Sequence, residues 1–174
     1  MSPALSRRML AVLGALLLGL GLALGGALAP ARALDGDPAR AILKQDGRTL
    51  QKGKQGSYCW PTGPGEFTCA DAVPSYPRVD RVAEGSKLRV RISESQKPRD
   101  LDLTAYRRVN ANDVPVGDGQ NLRYDWERVR RNGKTVAWEA VFRVGQPNRH
   151  YYLSAFGRWK KADASWDFHV KTGG

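Results

Sequence analysis

The stretch LRYDWERVRRNGKTVAWEAVFRV, residues 122–144, decides the fold. Asn132-Gly133 at its centre is the favoured pair for a two-residue type I′ hairpin, because both turn positions need positive φ. It predicts two antiparallel strands, residues 122–131 and 134–144. On the second arm Val136, Trp138, Ala140, Phe142 and Val144 share one face, as the two-residue period of a strand requires. The first arm fits less simply. In strict register Val129 lies opposite Val136, Glu127 falls opposite Trp138, and Tyr124 and Trp126 lie on the other face. Either a bulge shifts the register or both faces of the hairpin are partly covered.

The same alternation continues outward in both directions. Leu88, Val90 and Ile92 point one way from residues 87–93, and Lys87, Arg89 and Arg91 point the other. Near the end, Trp166, Phe168 and Val170 point inward while Asp167, His169 and Lys171 point out. Residues 41–45, 56–60, 67–70, 101–109 and 151–159 complete the set of expected strands. Asp46-Gly47 reads as the turn that ends the first of them. Residues 71–80, with Pro74 and Pro77, and 110–120, with Pro115, read as loops. The short polar link 160–164 joins antiparallel neighbours. No segment of ten or more residues after the N-terminal region carries a helical stripe. The expected class is all-β: an antiparallel, immunoglobulin-like β-sandwich of seven to nine strands, preceded by a signal-peptide helix.

That N-terminal segment has its own grammar. Arg7 and Arg8 precede an uncharged apolar run, residues 9–29, and Ala31-Arg32-Ala33 supplies a small-x-small cleavage site. The expected division is a signal peptide over 1–33 and one domain over 34–174, with no transmembrane segment after cleavage. The run is also long enough to stay as an uncleaved anchor. Ser6-Arg7-Arg8 matches a twin-arginine export signal only loosely. Residues 1–33 hold three of the 28 cationic residues (Arg7, Arg8 and Arg32) and none of the 17 acidic ones, which leaves +8 on the domain. Such an excess favours polyanionic neighbours. The cations are scattered, apart from Arg128, Arg130 and Arg131, which are the candidate polyanion contacts.

Cys59 and Cys69 are the two cysteines, and an even count in an exported chain argues for a bridge. The turn-rich residues between them can fold back to close it. A redox pair would want Cys-x-x-Cys, and a metal site would want more ligands.

Chemistry finds little footing in the sequence. His150 and His169 are the two histidines, and neither lies in a nucleophile motif such as Gly-x-Ser-x-Gly. Both read as solvent-facing. No zinc, copper or nucleotide motif is present, so no metal and no cofactor is expected. Asp100 and Asp102, or Asp113 and Asp118, are compatible with weak calcium binding but read first as ordinary loop acids. Tyr58, Trp60, Tyr151 and Tyr152 are candidate ligand-contact aromatics, if they stand exposed together rather than finishing the core.

Three pieces carry a resemblance: Gly56-Ser57-Tyr58-Cys59-Trp60 with Cys69-Ala70-Asp71; Val82-Ala83-Glu84-Gly85-Ser86 leading into Leu88-Arg89-Val90; and Tyr151-Tyr152-Leu153 with Trp159 and Ala164-Ser165-Trp166-Asp167-Phe168. Together they resemble uncharacterised secreted proteins and lipoproteins of Gram-positive-type bacteria. The resemblance implies a secreted immunoglobulin-like sandwich and carries over no catalytic or ligand residue. The chain departs from the lipoprotein members in having no cysteine near the cleavage region.

The functional expectation is an exported, non-enzymatic binding or structural module of the cell envelope or exterior. Its expected partner is an extracellular protein or an anionic wall polymer, and not nucleic acid. Two alternatives are an extracellular protease inhibitor that presents the disulfide-held segment 61–65, and a small secreted hydrolase.

Overall fold

The two-residue period carries through to a computed structural model of the chain, which describes residues 36–173. The expected signal segment, residues 1–33, lies outside the described residues. In chain order the strands are β1 (Ala41–Gln45), β2 (Arg48–Lys52), β3 (Lys54–Gly63), β4 (Glu66–Ala70), β5 (Asp80–Ala83), β6 (Lys87–Ile92), β7 (Asp100–Tyr106), β8 (Gln120–Asn121), β9 (Asp125–Arg131), β10 (Lys134–Arg143), β11 (His150–Arg158) and β12 (Asp163–Gly173). They form a smaller sheet in the order β2-β1-β6-β10-β9 and a larger one in the order β4-β3-β12-β11-β7-β8. The pairings are antiparallel except one: β5 runs parallel to the last residues of β12.

The facing sides of the two sheets make the core. Leu43, Leu88, Val90, Ile92, Ala140 and Phe142 come from the smaller sheet. Leu101, Leu103, Leu153, Trp166, Phe168 and Val170 come from the larger. Each large apolar side chain removed from water contributes roughly 1.5–3 kcal/mol, which is what holds the layers together. The Trp166 indole N–H, buried with its ring, donates to the Ala39 carbonyl at 3.0 Å.

The expected strands all form, and three more join them. β2 follows β1 through Asp46-Gly47, which is a hairpin turn and not merely a strand end. Both residues have positive φ (48° and 81°), as do Asn132 and Gly133 (50° and 75°). β2 escapes the pattern because its residues are mostly polar and only Gln51 is buried. β5 buries Val82 alone, and β8 is two exposed residues long.

The β9–β10 hairpin resolves its register with a bulge at Val136. Val136 therefore leaves the core face on which strict alternation places it, and is 42% exposed. Beyond the bulge Trp126 lies opposite Ala140, and Arg128 opposite Trp138. Glu127 now faces Glu139. Arg89 separates the two acids, 3.1 Å from Glu127 and 3.2 Å from Glu139, and Arg91 holds Glu139 at 2.7 Å. These long side chains cover the outer face of β10, so Ala137 and Val141 are buried there.

Cys59 and Cys69 are directly opposite in the β3–β4 ladder and form a disulfide. β4 needs this link, because it is an edge strand whose Phe67 is 49% exposed. The Cys59→Ser/Cys69→Ser double variant is expected to lose about 2.8 kcal/mol of stability on the chain-entropy estimate. Denaturant unfolding measures this. Hydrogen exchange should show amide protection lost first over Glu66–Ala70.

Candidate functional site

A row of cations without carboxylate partners follows the free edge of the smaller sheet. β9 is the last strand there, and seven extended residues give it a length of roughly 23 Å. Arg128, Arg130 and Arg131 are all exposed at its turn end, and Lys134 lies opposite Arg131. None of the four has a carboxylate within 4.0 Å among the described residues. Beside them Trp126 and Trp138 meet edge to face at 6.4 Å, and Tyr124 meets Trp126 at 5.4 Å. The Arg128 guanidinium lies 5.4 Å over the Trp138 ring. The Lys97 ammonium sits 5.3 Å from the Trp126 centroid and 5.7 Å from that of Trp138. The Trp138 indole donates to the Ser95 carbonyl at 3.1 Å, which fixes the ring.

At the other end of β9 an open cleft of about 480 Å³ is lined by Lys87, Arg123 and Arg143, with Asp125 and Asn121 among them. Its lining residues include no serine, cysteine or histidine. The edge thus presents cations, amide donors and aromatic faces side by side. The three arginines are legible in the sequence. Lys97, Trp126, Arg123 and Arg143 join them only through the bulged register and the loop after β6.

The candidate aromatics do not assemble. Tyr151 and Tyr152 are neighbours in sequence, so the pleat sends them to opposite faces. Tyr151 is in the core, with the Arg107 guanidinium 4.5 Å over its ring. Trp60 is 1% exposed and meets Trp159 edge to face at 5.1 Å. Tyr58 is half-buried against the same core. Tyr152 alone of the four lies on the outer face of the larger sheet. A shared stacking surface is therefore excluded, because core packing claims two of the four rings. Segment 61–65 is likewise no extended loop: Pro61 is buried and the strands run to Gly63 and from Glu66. Asp100 and Asp102 are not free acids either, since the Arg158 guanidinium binds both.

The outer face of the larger sheet holds a second cluster. His150 on β11 and His169 on β12 are diagonal neighbours, with Nδ1 of the first 2.9 Å from Nε2 of the second. Both are half-buried rather than solvent-facing. Tyr152 stacks on His169 with centroids 4.1 Å apart. Residues 71–79 cross this face as a strap. Ser75 donates its N–H to Asp167 at 3.2 Å, Tyr76 meets Tyr152 edge to face at 5.1 Å, and Gln51 donates to the Arg78 carbonyl at 2.9 Å. The Tyr76 hydroxyl is buried without a partner, and burial followed by the nearby Asp167 carboxylate pushes its pKa above the ordinary phenol value. Burial and the neighbouring His150 hold His169 below the usual imidazole range. Burial also pushes the Asp167 carboxyl up to about 6, against the opposing hydrogen bonds from Ser75 and Ser154.

No protein-family model, curated protein or solved structure matches this chain.

Asp167 is 4% exposed, and its raised pKa means that its ionised form opposes folding. Its contribution is most favourable below pH ~4 and is lost as pH rises through about 6. Asp167→Asn keeps an acceptor for Ser75 and removes the charge. The variant is expected to be more stable than the parent at pH ~8, by at most about 3 kcal/mol. The gap should close as pH falls toward ~4. Paired thermal melts across that range check both the sign and the window.

Proposed function

We propose that the chain is an exported, non-enzymatic binding domain of the cell envelope or exterior that takes an anionic polymer along the β9 edge. The carrying observation is the unpaired row Arg128, Arg130, Arg131 and Lys134 beside the Trp126–Trp138 pair. Three further facts support the reading. The N-terminal segment has the layout of a secretion signal. The Cys59–Cys69 disulfide suits an oxidising compartment. The basic cleft of Lys87, Arg123 and Arg143 extends the cationic surface to the far end of the strand.

An extended polymer fits a linear edge better than a compact ligand does. Arginine guanidinium groups pair with phosphate or carboxylate through two parallel N–H donors. The indole faces offer apolar area for sugar or polyol units. An exposed edge strand also presents backbone groups that a chain of polar units can use.

Binding to an isolated phosphodiester wall polymer tests the proposal. Affinity is expected to fall at least ten-fold between ~0.1 M and ~1 M salt, as screening shortens from ~10 Å to ~3 Å. The triple variant Arg128→Glu/Arg130→Glu/Arg131→Glu should lose binding with its circular-dichroism spectrum unchanged. Equal affinity of the parent and the triple variant would refute the proposal.

A further inference from the structure

We propose that His150 and His169 form an open two-histidine site for a divalent transition-metal ion, with copper(II) the best match. The site lies on the larger sheet and is independent of the β9 edge.

The argument starts from register. His150 pairs with Lys171 and Tyr152 pairs with His169, so the two histidines sit on one diagonal of the outer face. Diagonal cross-strand positions are within reach of long side chains. Their facing nitrogens, His150 Nδ1 and His169 Nε2, are 2.9 Å apart. That spacing is the hydrogen bond of the metal-free pair, and binding replaces the shared hydrogen by the ion as both lone pairs turn toward it. Copper(II) heads the affinity order for nitrogen ligands.

In the metal-free pair one ring donates its N–H to the facing nitrogen of the other. On binding, that hydrogen moves through solvent to the donor ring's other nitrogen. Two neutral imidazoles so become two ligands with no net loss of a proton. Tyr152 lies parallel to both rings, 16° from His150 and 19° from His169, and Tyr76 braces Tyr152 from the side. Among the described residues no cluster of three or more histidine, cysteine or carboxylate side chains forms a closed site. Two positions of the ion therefore remain for water or for a donor from another molecule.

The test is titration of copper(II) chloride into the chain purified without a histidine tag, followed by electron paramagnetic resonance. The expected result is one tetragonal copper(II) per chain with couplings from two imidazole nitrogens. Zinc chloride should bind more weakly. His150→Gln and His169→Gln should each weaken copper binding at least ten-fold and leave the circular-dichroism spectrum unchanged. A wild-type spectrum without imidazole couplings would overturn the proposal, whatever the variants do. So would the same signal persisting in the double variant.

Discussion

Backbone pairing commits β12 to three neighbours at once. It pairs with β3 along its first residues, β5 along its last and β11 along the opposite side. Once that ladder is set, the pleat leaves no choice of face to any side chain on it. Trp166, Phe168 and Val170 go to the core, and Asp167, His169 and Lys171 to the outer surface. The same alternation therefore builds the apolar centre and the polar cluster beneath the strap. A slip of one residue would exchange the two sets, burying a charged row and exposing the core. That cost is why the register is unique, and why the histidine pair is a fixed feature rather than a passing encounter.

The smaller sheet shows the opposite device, a deliberate break in period. In an unbroken hairpin Arg128 would face Ala137 and point away from the aromatic side. The extra residue at Val136 moves it opposite Trp138 instead. One bulge thus brings cation and indole together and sends Glu127 to the arginine network of the outer face. The edge arginines have a second effect that needs no ligand: charge on a terminal strand discourages edge-to-edge pairing with other chains.

Much of the architecture was legible because it rests on burial. β6, β10 and β12 carry enough alternating apolar residues to announce themselves, and Asn132-Gly133 fixes a turn by its own stereochemistry. The strands that escaped reading, β2, β5 and β8, are held by backbone bonds and bury almost nothing, so composition has no trace of them. The cationic edge was half legible, since three arginines are adjacent in sequence while their aromatic and cationic partners come from other segments. Trp60 and Tyr151 illustrate the reverse difficulty: a large ring beside a turn or at a strand start looks the same in sequence whether it ends in the core or in water. The pairing of His150 with His169, nineteen residues apart, follows from the β11–β12 register. That register is set by a tight link closed by the Trp159 N–H to Ala162 carbonyl bond.

The placement of β12 has a kinetic corollary. The strand nearest the end of the chain is the one on which the middle of the larger sheet depends, and its partners lie as far back as Lys54. Most of the sheet's cohesion is thus of high contact order, and it cannot form before β12 has left the ribosome. Until β12 is made, β3 and β11 lack the strand that joins them.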